Sequence, residues 1–289
     1  MSIFREKEPK KTIGIIGNGF VGSAIISGFG LHTEVRVYDT DERKSLNTFQ
    51  ETINSEYVFV CVPTPMKQAL GGEIDLSIIN SVFRKIKENN KRDDNIFIVK
   101  STVIPGTMER LIKENEGLNI VFSPEFLTER AARLDFINTS RIVLGGEEKL
   151  TSKTEQLFRV RFPHTKIIKT DVTTAQFIKY IANCFFATKV GFMNEMRQGA
   201  NRLGVNWADT MNGLVSDGRI GNSHLDVPGH DGSWGFGGKC FPKDLNAFIH
   251  LFKSIDVDPK IMSSVWNKNL EVRKNHDWND IEGAVSKNE

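Results

Sequence analysis

An apolar run over Thr12–Gly17 leads straight into Gly17-x-Gly19-x-x-Gly22, and the next apolar run ends acidic at Asp39, 22 residues after Gly17. A strand that empties into this glycine spacing and then into a helix constrains the fold more than any other stretch of the 289 residues. Gly17 suits the tight turn, Gly19 admits a pyrophosphate, and Gly22 lets the helix pack closely on the strand. Asn18, Phe20 and Val21 complete a turn whose helix N-terminus faces phosphate charge. Asp39 is placed to accept hydrogen bonds from an adenosine ribose and to repel a 2′-phosphate, so the cofactor reads as NAD. Arg43 is the neighbour that would argue for NADP.

The rest of the first 170 residues keeps the same rhythm. Strands are expected at Thr12–Gly17, Glu34–Asp39, Tyr57–Val62, Ile96–Lys100, Asn119–Phe122, Arg141–Leu144 and Lys166–Lys169. Helices are expected at Phe20–Phe29, Leu76–Asn89, Thr107–Asn115 and Glu147–Arg159. Such alternation predicts an α/β domain, a Rossmann-like doubly wound parallel sheet covered on both faces, over residues 1–170. A mostly α-helical domain follows over 171–289. It opens with a long helix to about Leu203, capped by Asp171 or Thr170, with Phe177, Ile181, Cys184, Phe185, Thr188 and Phe192 near helical spacing. So long an apolar stripe needs cover on more than one side, which makes a homodimer through this helix the expectation. Further helices are predicted at Asn206–Val215, Pro242–Ser254 and Pro259 to about His276, with a glycine-rich loop at Arg219–Lys239 and a frayed polar tail at Glu282–Glu289.

Composition narrows the function classes. Net charge is +2, which gives no bulk attraction for nucleic acid or an anionic membrane. Cys61, Cys184 and Cys240 lie far apart, unlike a disulfide framework, and no metal-ligand spacing stands out. Met1 to Lys11 is charged and lacks the apolar core of a signal peptide, and no run is long enough to span a bilayer. The expectation is a soluble cytoplasmic protein.

Gly235-Phe-Gly-Gly-Lys-Cys-Phe-Pro-Lys-Asp244 carries the chemistry. It sets Cys240 after a glycine run at the start of a helix, where unpaired N–H groups and the macrodipole favour a thiolate. Lys239 and Lys243 push the same way. Gly237 and Gly238 would let a ligand approach the backbone, and Asp244, one turn on, can share a face with Cys240. A glycine turn followed by a buried cysteine is the alternative for this segment taken alone.

Together these residues resemble the UDP-glucose/GDP-mannose dehydrogenase family of NAD-dependent nucleotide-sugar dehydrogenases. Cys61-Val-Pro-Thr-Pro65, Ser101-Thr-Val-Ile-Pro-Gly-Thr107, Ser123-Pro-Glu-Phe-Leu127 and Lys179-Tyr-Ile-Ala-Asn183 stand in the family's order, and the likeness runs over about residues 11 to 275. The resemblance implies that Cys240 is the nucleophile of a double oxidation, alcohol to aldehyde and then through a thioester to carboxylate. It implies that Lys179 and Asn183 face one oxyanion, although their spacing also suits a solvated polar face. Glu125 and Thr102 match positions that handle the proton and the hydrolytic water, Asp244 one that orients a water or a lysine near the thiol, and Thr64 and Thr102 nicotinamide-side contacts. Glu125, Phe126, Leu127, Glu129, Lys179, Asn183, Arg219 and Gly237 form the implied substrate set. Glu129 reads nearly as well as a surface carboxylate. Cys61 and Cys184 are assigned to packing.

Two departures stand out. The family's usual third domain, which closes over the nucleotide, has no counterpart before Glu289, so a separate partner supplying it is one reading. Gly229–Trp234 lengthens the loop before Cys240, and Lys239 sits where a small residue is usual. UDP-glucose is the first choice of substrate, with GDP-mannose and UDP-N-acetylhexosamines as rivals. A dehydrogenase of a smaller hydroxy substrate and a silent NAD-binding or assembly module are the other two readings.

Overall fold

Seven short apolar segments hydrogen-bond into one sheet in the order β2-β1-β3-β4-β5-β6-β7. The structure, a computed structural model, describes residues 10–67, 73–281 and 283–286. Most of the charged N-terminus read as lacking a signal peptide, and the tail positions Glu282 and 287–289, lie outside the described residues. The elements of this part are β1 (Thr12–Ile16), α1 (Phe20–Phe29), β2 (Glu34–Tyr38), α2 (Phe49–Ile53), β3 (Tyr57–Val60), α3 (Ser77–Asn89), β4 (Ile96–Val99), α4 (Thr107–Glu114), β5 (Asn119–Phe122), α5 (Ala132–Ile137), β6 (Arg141–Gly145), α6 (Glu148–Arg161) and β7 (Lys166–Thr170).

β1 to β5 are parallel, and every residue of β3 and β4 is buried, which is why they read as unbroken apolar runs rather than as alternation. The sheet is not parallel throughout. β6 pairs antiparallel with β5 through Phe122 and Gly145, and β7 then runs parallel to β6. A buried Ile-Val-Leu run looks the same in either direction, so nothing in the pattern of Arg141–Leu144 announces the reversal.

Each face of the sheet has its own core. On one, Phe29, Phe59, Phe136, Phe158 and Phe162 cluster, with Phe29 and Phe158 edge to face at 5.7 Å. On the other, Phe49, Ile53, Phe83, Ile86, Met108 and Leu111 pack with Ala175. The helix α2 was not expected. It is a single turn held by a capping box, Thr48 and Glu51 each satisfying the other's backbone N–H.

The remaining helices are α7 (Val172–Leu203), α8 (Trp207–Val215), α9 (Cys240–Ser254) and α10 (Lys260–Val272). Asp171 starts α7, its Oδ1 accepting from Thr174 N–H at 2.8 Å. The chain divides into two compact units, Met1–Thr64 with Leu76–Lys179, and Pro65–Asp75 with Tyr180–Glu289. The division falls inside α7 rather than at its start, because Val172, Ala175 and Ile178 pack into a core of the sheet. In the second unit Met193, Leu225 and Val227 gather Trp207, Met211, Leu214 and Trp234 around them. α10 stops before the expected His276, since Arg273 turns extended at φ −92°. The tail does not fray over 283–286: Ala284 is buried, and Met66 N–H donates to its carbonyl at 2.9 Å. No helix among the described residues is long and apolar enough to cross a membrane.

Candidate active site

The first unit contains the glycine turn. Gly17 sits at φ +94°, a conformation that side chains resist, and a Cβ on Gly22 would lie 2.1 Å from the Gly17 carbonyl oxygen. A Cβ on Gly19, by contrast, would meet nothing within 4 Å, so the backbone there is open to a ligand. Gly19 is also the N-cap of α1 and makes no side-chain cap, which leaves the helix N-terminus for phosphate. Asp39 braces the turn: its Oδ2 accepts from Asn18 N–H at 2.7 Å and its Oδ1 from Asp41 N–H at 2.9 Å. Each oxygen keeps a second lone pair for a ribose hydroxyl. Arg43, the residue that would argue for NADP, is engaged by Asp41 through two side-chain hydrogen bonds. The residues present therefore fit NAD. Phe20 and Val21 open α1 and pack, partly buried, against the core.

The ends of β3, β4 and β5 bring the next group together. Thr64 Oγ1 donates to the Thr102 carbonyl at 2.7 Å, and Ser101 Oγ to the Val62 carbonyl at 2.7 Å, tying two loops to each other. Glu125 is buried and meets Lys179 Nζ at 3.2 Å, while its other oxygen accepts from Leu127 N–H at 2.6 Å. Phe126 lies between two cations, with Arg141 at 4.2 Å and Lys179 at 5.6 Å from its ring centre. Glu129 is exposed, on a 3₁₀ turn over Glu129–Ala131.

A further cation here was not singled out from the sequence. Lys100, at the end of β4, is buried and donates to Ser123 Oγ at 3.3 Å and to the Pro124 carbonyl at 3.1 Å. Burial pulls its ammonium down to about 8, with the neighbouring Glu125 and Cys61 pulling the other way. Burial likewise pushes the partly covered Cys61 thiol up to about 12, which fits packing rather than chemistry. A basic residue closing an otherwise apolar strand was the available signal.

In the second unit α9 begins at Cys240 itself, two residues earlier than expected, and no side chain caps it. Pro242 is tolerated in the first turn because its missing N–H would have had no helical partner. Cys240 is partly exposed, whereas Cys184 is buried. Asp244, one turn on, is 1% exposed and spans two donors: Asn183 Nδ2 at 2.5 Å and Lys243 Nζ at 2.6 Å. The lysine that Asp244 holds is its own neighbour in the chain. Lys179 and Asn183, one turn apart on α7, are each engaged by a carboxylate rather than left solvated. Arg219 is exposed and paired with Asp217 at 2.5 Å. Gly237 has a use not foreseen. A Cβ there would lie 2.2 Å from both Arg273 Nη2 and Asp277 Oδ1, so its missing side chain makes room for protein, while Gly238 faces open space.

The chain is similar to known proteins over most of its length. The family model described as "UDP-glucose/GDP-mannose dehydrogenase family, NAD binding domain" matches residues 43–160, and that of the same family's central domain matches 173–271. The UDP-glucose 6-dehydrogenase of Rickettsia conorii is 30% identical over 295 residues, covering 90% of this chain and 66% of the relative. That of Rickettsia felis is 32% identical, covering 90% of this chain and 64% of the relative. The chain thus spans just under two-thirds of the length of these relatives. A solved UDP-glucose dehydrogenase from Pyrobaculum islandicum superposes with a TM-score of 0.77 at 26% identity, covering 94% of this chain and 70% of that one. The glycine turn precedes the matched residues, and its geometry stands on its own. With both of its domains matched in order, the chain belongs to the UDP-glucose/GDP-mannose dehydrogenase family.

Proposed function

We propose that this protein oxidises the C6 primary alcohol of a nucleotide sugar, UDP-glucose first among the candidates, to the carboxylate with two equivalents of NAD. The observation that carries the reading is Cys240 at the uncapped start of α9, on the same helix as an Asp244 buried between Asn183 and Lys243. Bound NAD would supply the hydride acceptor, held at the glycine turn by Gly17, Asn18, Gly19, Phe20, Val21, Gly22 and Asp39, with Thr64 and Thr102 on its nicotinamide side.

The alcohol first loses a hydride and a proton to give the aldehyde. The Cys240 thiolate then adds to the aldehyde carbon, and the resulting hemithioacetal loses a second hydride and a proton to become a thioester. Water hydrolyses the thioester, releasing the carboxylate and restoring the thiol. Lys179 and Asn183 stabilise the oxyanion from one face of α7. Glu125, with Thr102, takes the proton of the hydrolytic water. Phe126, Leu127, Glu129 and Arg219 are assigned to substrate contact. A homodimer through α7 and a cytoplasmic setting complete the proposal, supported by the exposed apolar stripe of α7 and by cysteines spaced unlike a disulfide framework. The rivals GDP-mannose and UDP-N-acetylhexosamines are tested in the same assay.

Purified protein, NAD and a panel of UDP- and GDP-sugars should give about two NADH per sugar consumed, as a double oxidation requires. Cys240→Ala should lower acid formation by at least about 1000-fold while NAD binding persists. Undiminished acid formation in that variant would sink the cysteine mechanism. NAD binding without NADH from any sugar would favour a module that needs a partner, and NADH from a small hydroxyacid alone would favour the smaller substrate.

A further inference from the structure

The glycines before Cys240 are held from behind by side chains that come from far along the chain. Asn194 on α7 accepts from Gly235 N–H at 2.9 Å. Asn269 on α10, fully buried, treats Phe236 as a strand partner would: its Oδ1 accepts from Phe236 N–H at 2.7 Å and its Nδ2 donates to the Phe236 carbonyl at 3.0 Å. Asp277 accepts from Gly238 N–H at 3.2 Å. Arg273 is 3% exposed and joins the set, reaching Asp277 at 3.1 Å and Asp231 at 2.9 Å. Asp231 belongs to the lengthened loop and folds it locally by accepting from Ser233 N–H at 3.0 Å.

The glycines answer to this frame. A Cβ on Gly235 would lie 2.3 Å from Asn269 Oδ1, and Gly237 is closed by Arg273 and Asp277. Gly235 and Gly238 also sit at φ +70° and +74°. The backbone from Gly235 to Gly238 is thus fixed at three of its N–H groups, two residues before the helix that begins with the thiol. Loosening it would let the first turn of α9 fray, and the N–H groups that favour a thiolate would lose their alignment.

We propose that Arg273 is a positioning residue for Cys240: through Asp277 and Asp231 it locks the Gly235–Gly238 backbone, and with it the start of α9, in the geometry that keeps the thiol reactive. The inference rests on Cys240 being the nucleophile, and it extends the site to residues outside the Gly235–Asp244 motif. It also gives the inserted Gly229–Trp234 segment a task, because Asp231 is the second anchor of the guanidinium.

The test reads the thiol directly and needs no turnover. The full chain and its Arg273→Met, Arg273→Lys and Asp231→Asn variants are alkylated with iodoacetamide from pH 5 to 10, and modification of Cys240 is followed by peptide mass spectrometry. The buried Cys184 serves as the fold control. In the parent chain Cys240 should titrate below an ordinary thiol. Arg273→Met should move that midpoint up by about half a unit, Asp231→Asn by less, and Arg273→Lys should restore part of the shift. Should Arg273→Met fail to fold, Asp231→Asn, an exposed-loop change, carries the test. An unmoved midpoint in the folded variants, against a lowered midpoint in the parent, overturns the positioning role and leaves the nucleophile standing. An ordinary midpoint in the parent overturns the nucleophile reading and this inference together.

Discussion

Lys100 shows how a single buried charge can be weighed. Its ammonium is covered by protein, has two oxygen acceptors, and is pulled down to about 8 from an ordinary value of 10.5. Below pH 8 the folded chain must hold it charged at a cost, and that cost is fully present at neutral pH. As pH rises from about 8 to 10.5 the folded state sheds a proton that the unfolded state keeps, so this group makes the protein more stable with rising pH. The shift corresponds to roughly 3 kcal/mol. Cys61 works in the opposite sense, since its folded thiol stays protonated to about 12 while an unfolded one ionises near 9.0. The measurement must therefore be a difference. Urea unfolding of the parent and of Lys100→Met at pH 7, 8, 9 and 10 should show the parent gaining about 2–3 kcal/mol on the variant across that range. A pH-independent difference would mean that Lys100 is better solvated than its surroundings indicate. The basic residue could be read at the strand end. That it turns inward could not, because a lysine closing a strand more often reaches solvent.

Among the elements, α7 carries an apolar stripe that its own chain leaves uncovered. Ile181, Phe185, Phe192, Met196 and Leu203 are all exposed, with Phe185 and Phe192 at 60% and 59%. Ile181, Phe192 and Leu203 follow one another at intervals of eleven, as do Phe185 and Met196. Eleven residues make just over three turns, so the stripe stays on one face of a nearly straight helix. Covering a Phe is worth about 1.5–3 kcal/mol when complete, and a two-fold interface counts each side chain twice. Phe185→Ser with Phe192→Ser should weaken a dimer by roughly 100-fold or more, seen by light scattering at micromolar concentration. A parent chain that is monomeric, or a variant as dimeric as the parent, would remove α7 as the interface. The periodicity that foretold this helix is strong over nine turns, which is why its bounds were readable to within one residue. α2 and α5 span five and six residues, too short for a period to emerge. For α2 the Thr48–Glu51 capping pair was nonetheless there to be read. The reversal at β6 had no such sign, since direction is decided by the connection and not by the strand's own residues.

Across the whole molecule, the two glycine motifs were legible because each encodes a backbone requirement within a few residues. The frame around the second motif was not. Asn269, Arg273 and Asp277 recur at intervals of four, and nothing in that spacing announces Gly235–Gly238 as their partner. The glycine turn and the cysteine proposed as nucleophile lie on separate motifs, and linkage offers a way to test that separation. A ligand that binds only the folded state stabilises it by about 2.7 kcal/mol at one hundred times its dissociation constant. NAD at that excess should stabilise the parent chain by this amount, and Cys240→Ala equally, because the thiol is not part of the glycine turn. Gly22→Ala should lose the gain, since its Cβ would fall 2.1 Å from the Gly17 carbonyl and force the turn open. A cooperative unfolding transition for Gly22→Ala without NAD would show that the turn, and not the fold, was lost. If Gly22→Ala kept the full gain, NAD would be bound elsewhere. If Cys240→Ala lost it, the start of α9 would belong to the cofactor site as well, and the thiol would have to be counted among the groups that hold NAD, beside the role proposed for it.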